Sequence, residues 1–295
     1  MNFPGIWPAI TTPFTADGAV YVAELRASVE WLIDAGVHGL VVTGTMGEFR
    51  ALSTSEREQV TAEAIAAAGG RVPVAVGISA DSADEARAYA RAAESLGASG
   101  LMCLPPLSYR ADLDELTAFF GSVASATGLP VMIYNNPSGS KNDLTPSQLA
   151  HLATLPNIAA VKETSEDVRR IPAILEATGG NIEVLVGGDD WALEGMCAGA
   201  TGWVSGCAVV APRECVELYK LIDHGALADA RTLYMRLLPL ARLDMDPKLV
   251  QLFKAAMDQV GRYGGPSRPP RALLSSADLR RVAEAVELLQ VQVQV

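Results

Sequence analysis

Lys162 is the residue of this 295-residue chain whose placement most suggests chemistry. It follows the apolar run Ile158-Ala159-Ala160-Val161 and precedes Glu163. Burying an ammonium is costly unless it is paired or used, because desolvation penalises the charged form. The chain has five lysines, Lys141, Lys162, Lys220, Lys248 and Lys254, against 18 arginines. A lysine on an apolar strand is therefore a specific choice. Once desolvated, its amine is free to attack a carbonyl and form a Schiff base. The structural alternative is a strand-end lysine paired with Glu163 or Glu166. Lys220, Lys248 and Lys254 have the spacing of exposed helical positions.

Tyr134 closes the run Val131-Met132-Ile133-Tyr134, ahead of Asn135-Asn136-Pro137. A phenol beside an iminium relays protons as acid and base; a core tyrosine bonded to backbone is the plainer alternative. Thr43-Gly44-Thr45-Met46-Gly47-Glu48 is a third place. Glycines around Thr45 let backbone N–H groups and a hydroxyl converge on a carboxylate. The same pattern also makes a tight turn, which Glu48 would brace. In Gly187-Gly188-Asp189-Asp190, the aspartates read as helix caps rather than as a metal or acid–base pair. Of the three histidines, His38 precedes a strand, while His151 and His224 fall in helical stretches. None is placed for a metal site or a Ser-His-Asp triad. Cys103, Cys197, Cys207 and Cys215 sit in apolar segments without a C-x-x-C pair and read as reduced core thiols.

These residues need strands to carry them. Short aliphatic runs bounded by Gly or Pro occur at Trp7–Thr11, Gly39–Thr43, Val72–Gly77, Gly100–Leu104, Leu129–Tyr134, Ile158–Lys162, Glu183–Val186 and Gly202–Ser205. Such runs suit strands buried on both faces of a parallel sheet. Helical stretches fall between them near 22–35, 54–68, 82–96, 112–126, 145–154, 167–178 and 190–199. Eight strands alternating with helices predict a (β/α)8 barrel, whose active site lies at the C-terminal strand ends. An open doubly wound sheet is the alternative, but no G-x-G-x-x-G follows the first strand. From about residue 212 the chain reads as helices, with a break at Asp244–Pro247 and a loop at Gly264–Arg271. The division expected is a barrel over 1–224 and a helical extension over 225–295, with Gln290–Val295 as a frayed tail.

Hydrophobic residues make up 49% and charged residues 19%, which excludes disorder. The net charge of −11 disfavours a nucleic-acid partner. No apolar run reaches membrane-span length, and the first residues lack the pattern of a secretory signal. A cytoplasmic protein is the expectation.

Taken together, G-T-M-G-E at Gly44–Glu48, Y-N-N-P at Tyr134–Pro137, V-K-E-T-S at Val161–Ser165, G-G-D-D at Gly187–Asp190 and G-W-V-S-G at Gly202–Gly206 resemble the dihydrodipicolinate synthase / N-acetylneuraminate lyase superfamily. The resemblance is collinear from about residue 5 to 285. It implies a (β/α)8 barrel with a helical extension, commonly a homotetramer (a dimer of dimers). It also implies class I aldolase or related chemistry on 2-oxo acids, without metal or cofactor. By position, Lys162 is the Schiff-base lysine and Tyr134 the proton relay. Thr45, with the Gly44–Met46 backbone, holds the substrate carboxylate, and the backbone at Gly188 and Val204 lines the pocket.

The sequence departs from the lysine-biosynthetic synthase of that family at three points. Met46 replaces a relay threonine, Ser108 a relay tyrosine, and Gly139 an arginine for the second substrate's carboxylate. Y-N-N-P with K-N-D-x-T-P at Lys141–Pro146, and L-P-L-x-x-L-D, P-x-L-V-Q and R-P-P-R at Leu238–Asp244, Pro247–Gln251 and Arg268–Arg271, look more like the 1-pyrroline-4-hydroxy-2-carboxylate deaminases. The implied product is 2,5-dioxopentanoate with ammonia, formed by a lyase with a final hydrolytic step. A 2-keto-3-deoxy sugar acid aldolase or dehydratase is the alternative enzyme, with the synthase behind it. A non-catalytic keto-acid sensor is the alternative outside enzymes.

Overall fold

The computed structural model describes residues 2–290. Eight strands, β1 (Gly5–Pro8), β2 (Leu40–Val42), β3 (Val74–Gly77), β4 (Gly100–Cys103), β5 (Val131–Asn135), β6 (Ile158–Glu163), β7 (Glu183–Val186) and β8 (Gly202–Ser205), pair in parallel. They run in the order β1-β8-β7-β6-β5-β4-β3-β2, and a parallel bridge from Ala9 to Val41 joins the two ends. The fold is a (β/α)8 barrel. β1 begins two residues before its expected run and stops at Pro8, β2 to β5 are each shorter than theirs, β6 is one residue longer, and β7 and β8 match. Beyond Pro8, Ile10 bonds only the single Val41 carbonyl.

The helices that follow the strands are α1 (Val22–Asp34), α2 (Thr54–Ala68), α3 (Ala83–Ser95), α4 (Leu113–Ala124), α5 (Pro137–Ser140), α6 (Pro146–Leu152), α7 (Arg170–Thr178), α8 (Ala192–Cys197) and α9 (Pro212–Asp223). Local chemistry starts several of them. Ser53, Asp112 and Thr145 each accept the N–H three residues on, while Glu56, Glu115 and Gln148 reach back to complete capping boxes. At the lower end of the barrel, the Ile6 N–H donates to His38 Nδ1 at 3.1 Å. This agrees with a structural place for that histidine. Cys103, Cys207 and Cys215 are buried, but Cys197 is exposed, contrary to its reading as a core thiol. Cys197 shares the outward face of α8 with Glu194, three residues before it, while Ala192, Gly195 and Met196 face the core.

Three more helices follow, α10 (Leu227–Ala241), α11 (Leu249–Gln259) and α12 (Ser276–Gln290). Their buried residues, among them Leu237, Leu240, Phe253 and Val282, join the same apolar core as the barrel's. The expected tail at Gln290–Val295 falls, from residue 291, outside the described residues. No helix among the described residues is long and apolar enough to cross a membrane.

The loop after α11 returns across the mouth of the barrel. Arg268 donates to the carbonyls of Gly18 and Ala51 and to Glu56, whose Oε2 lies 2.9 Å from Nη1. That guanidinium holds the Glu56 carboxyl down at about 2, against an ordinary 4.5. The pair therefore adds stability above about pH 4.5, and the contribution is lost as pH falls toward about 2. Glu56→Gln keeps a capping acceptor but loses the charge. Thermal melts should place the variant below wild type at neutral pH, with the gap narrowing steadily below about pH 4.5. A gap that does not change with pH would contradict this.

Candidate active site

Strand register sets the centre of the site. Tyr134 of β5 lies directly opposite Lys162 of β6, so both side chains leave the sheet on the same side. Lys162 Nζ stands 4.1 Å from the centroid of the Tyr134 ring, within the range of a cation–π contact. The Tyr134 hydroxyl accepts a hydrogen bond from Asn136 Nδ2 at 2.9 Å. Lys162 is 7% exposed. Among the described residues it forms no ion pair. Glu163 is turned away, accepting from Asn135 Nδ2 and the Ser165 N–H, and burial pushes its carboxyl above the usual range. The structural alternative for Lys162, a partner at Glu163, is therefore not what the fold builds.

A cavity of about 240 Å³ opens above this pair. Gly44, Thr45, Met46, Tyr134 and Lys162, five of the residues expected from the sequence, line it. The backbone must come very close here. A Cβ at Gly187 would stand 1.8 Å from Thr164 Oγ1 and 2.9 Å from Lys162 Cε, so only glycine fits. Gly188 and Val204 do not line the cavity. Gly188 is covered by the Trp191 indole, and Val204 is a buried β8 residue paired with Trp7. Gly206, two residues beyond Val204, reaches the cavity instead. Lys141 is exposed and borders neither cavity.

The turn that carries Thr45 is strained at both ends. Thr43 and Glu48 have φ of 53° and 54°, a region that costs a side-chain-bearing residue on the order of 1–3 kcal/mol. Thr43 Oγ1 donates to the Gly77 carbonyl, and Glu48 is pinned from outside the barrel. Lys254 Nζ of α11 donates to Glu48 Oε1 at 2.7 Å and to the Pro266 carbonyl at 2.8 Å. The Arg268 N–H donates to Glu48 Oε2. Both side chains of the pair are almost fully buried, at 2% and 1% exposure. Glu48 braces the turn, as expected. Lys254 corrects the expectation of an exposed tail lysine: α11 lies across the barrel mouth, so the helix face that carries it points inward.

The aspartates after β7 are also corrected. Asp189 caps no helix. Its buried carboxylate accepts from Trp203 Nε1, the Gly206 N–H and the Cys207 N–H, tying β8's loop to β7. Burial, with Asp244 close by, raises its carboxyl well above the usual range.

Sequence reasoning missed several lining groups. Asn136, Ser138, Thr164, Glu166 and Asp244 bring polar atoms to the cavity. Thr164 Oγ1 is buried with no partner in the structure, leaving a hydrogen-bonding atom free for a ligand. The V-K-E-T-S string held that signal, but nothing in it said which way Thr164 would point. An outer cavity of about 570 Å³ shares Thr45, Asn136 and Pro247 with the inner one and contains Leu107, Gly139, Arg50 and Arg271.

Fold and comparisons together define a (β/α)8-barrel lyase of the class I, lysine Schiff-base type. The chain belongs to the dihydrodipicolinate synthetase family, whose model matches residues 2–289. It is 34% identical over 293 residues to the 4-hydroxy-tetrahydrodipicolinate synthase of Methanosphaerula palustris, covering 97% of this chain and 98% of that one. It is 35% identical over 289 residues to the synthase of Methanoculleus marisnigri, covering 95% and 98%. Among solved structures, a putative dihydrodipicolinate synthetase from Pseudomonas aeruginosa superposes with a TM-score of 0.94 at 32% identity, covering 98% of this chain and 100% of that one. The chloride-inhibited dihydrodipicolinate synthase of Acinetobacter baumannii, complexed with pyruvate, gives 0.92 at 30% identity, covering 97% and 98%. These relatives carry synthase or synthetase names, and none supports classing the chain as a hydrolase.

The Glu48–Lys254 pair can be tested directly. Lys254→Ala leaves the buried Glu48 carboxylate only the longer Arg271 ion pair, at 3.7 Å, and should cost about 3 kcal/mol in urea unfolding. Adding Glu48→Gln to Lys254→Met removes both charges and should recover part of that loss. Equal costs for the two variants would refute the pairing as the cause.

Proposed function

We propose that the chain is a 1-pyrroline-4-hydroxy-2-carboxylate deaminase, converting its substrate to 2,5-dioxopentanoate and ammonia, with Lys162 as the Schiff-base nucleophile. The observation that carries this is the apolar Met46 side chain in the cavity that holds Lys162 and Tyr134. A thioether relays no proton and so offers nothing to a threonine-dependent synthase. Gly139 in the outer cavity supplies no charge for a second substrate's carboxylate. A single small imino acid needs neither.

In this reading the Lys162 amine attacks C2 of the ring imine. The C2–N ring bond then breaks as Tyr134 gives its proton to the departing ring nitrogen. Tyr134, 4.1 Å from Nζ by its ring centroid, then takes a C3 proton to form the enamine. Thr45 and its glycine turn hold the carboxylate near C2. Loss of the 4-hydroxyl as water leaves a C3=C4 double bond. Proton transfer off C5 and protonation at C4 and C3 turn this into a C5 iminium. Two waters then hydrolyse it and the Lys162 Schiff base, releasing ammonia and 2,5-dioxopentanoate. No metal or cofactor takes part in this scheme.

A second reading, a 2-keto-3-deoxy sugar acid aldolase or dehydratase, draws support from the polar Ser138, Thr164 and Glu166 along the wall. The family resemblance also supports a cytoplasmic homotetramer, which sedimentation velocity tests for its assembly.

Borohydride reduction in the presence of pyruvate should add a mass to the wild-type protein that Lys162→Ala does not take up. No adduct with any 2-oxo acid would end both readings. Ammonia should be released from 1-pyrroline-4-hydroxy-2-carboxylate, and Tyr134→Phe should slow it by about 10²–10⁴-fold. Pyruvate from sugar acids, with no ammonia from the pyrroline, would decide for the aldolase.

A further inference from the structure

The segment that crosses the barrel mouth brings a carboxyl group of its own to the cavity. Asp244 lies in the short 3-10 turn Arg242–Met245 between α10 and α11 and lines the cavity with Lys162, Tyr134 and Gly206. Its position is fixed from the strand ends. The Asp189 N–H donates to Asp244 Oδ2 at 3.4 Å. A Cβ at Gly206 would stand 3.2 Å from both Asp244 Oδ1 and Asp189 Oδ2, so the glycine leaves room for both carboxylates. The two are held differently. Asp189 is caged by three donors, whereas Asp244 has one weak backbone bond and keeps part of its surface open.

The charged and titratable groups around Asp244 come from the strand ends and the turns that follow them. Lys162 faces it from β6, Asp189 and Asp190 from the turn after β7, and Tyr134 shares the cavity from β5, with Glu166 further along the wall. Among the described residues no ion pair neutralises it. Burial pushes its carboxyl up to about 6, with Lys162 and the Asp189 N–H pulling the other way. A carboxyl that titrates there can give up and regain a proton near neutral pH.

We propose that Asp244 is a catalytic residue, the general acid that protonates the 4-hydroxyl as it leaves the substrate held on Lys162. The assignment rests on the deaminase reading above. It supplies what the strand-end residues lack, because Met46 offers no proton and Tyr134 is occupied at C3. In the enamine, the nitrogen lone pair re-forms the C2 iminium and the C2=C3 pair moves to C3=C4. The C4–O bond breaks with its electrons on oxygen, and the Asp244 proton makes that oxygen water. Asp244 is left as a carboxylate facing the iminium cation and recovers its proton from solvent before the next turnover.

Asp244→Asn keeps the shape and removes the acid. Pyruvate and 1-pyrroline-2-carboxylate, which lack the 4-hydroxyl, should still be trapped on Lys162 by borohydride as in wild type. Ammonia release from the 4-hydroxylated substrate should fall by on the order of 10²–10⁴-fold. The limb of the wild-type kcat/KM profile that falls above about pH 6 should vanish, and Asp244→Glu should restore part of the rate. Ammonia release within about threefold of wild type, with an unchanged pH profile, would overturn the role of Asp244 and leave the deaminase intact. Loss of the pyruvate adduct in Asp244→Asn would overturn it in favour of a structural role. A wild-type protein that traps pyruvate but releases no ammonia would overturn the deaminase reading, and this assignment with it.

Discussion

The shape of the site depends on the buried contact between Glu48 and Lys254. It joins the strand-end turn that carries Thr45 to a helix more than 200 residues away in sequence. The turn needs such an anchor, because Thr43 and Glu48 are both held at positive φ. Two charges buried without water repay their desolvation only when the geometry is good and the remaining lone pairs are used. Here the Arg268 N–H and the Pro266 carbonyl complete the arrangement. The same contact seats α11 across the barrel mouth. The 3-10 turn before α11 is thereby drawn over Lys162, and the inner cavity acquires a roof.

The barrel and the returning segment contribute different things. Parallel register places Tyr134 against Lys162 with no loop involved, so the spacing of amine and phenol inherits the rigidity of the sheet. Gly187 and Gly206 open room at the ends of β7 and β8 for side chains from neighbouring elements. Asp189 ties β8's loop to β7, which keeps those glycine backbones in place. The segment between α10 and α11 then closes the space with Asp244, Met245 and Pro247. The result is a small chamber in which Lys162, Thr164 and Asp244 sit among Met46, Met102 and Met245, inside an acidic protein. It opens to a wider outer cavity edged by Arg50 and Arg271, a suitable entrance for a small anion.

Much of this was legible in sequence, and for a local reason. Strands buried on both faces read as unbroken aliphatic runs, so all eight could be placed to within a few residues. The capping boxes at Ser53, Asp112 and Thr145 marked helix starts through side chains three residues apart. Lys162 stood out because an ammonium in an apolar run is a local contradiction, and Tyr134 because it ends the neighbouring run. Lys254 raised no such contradiction. Its helix is amphipathic, and sequence does not say which neighbour an amphipathic face will meet. Asp189 looked like a cap because Asp just before a helical stretch commonly accepts its free N–H groups. Its true partners, Trp203, Gly206 and Cys207, lie one strand away. Gly188 and Val204 were placed at the pocket by position, one residue off the glycine that approaches Thr164 in one case and two residues short of Gly206 in the other.

The sequence by itself determined the barrel, the order of its strands, and the amine and phenol at the ends of two neighbouring strands. Those follow from hydrophobic periodicity and from the high cost of burying a lysine without purpose. Only the tertiary structure decided that Glu163 turns away from Lys162, that Lys254 is buried rather than solvated, and that Asp244 enters the cavity. The first is set by Asn135 and the Ser165 N–H, the other two by where α11 and the loops at its ends come to rest. That resting place is settled by long-range packing and one buried ion pair, not by any pattern within a few residues of the groups concerned.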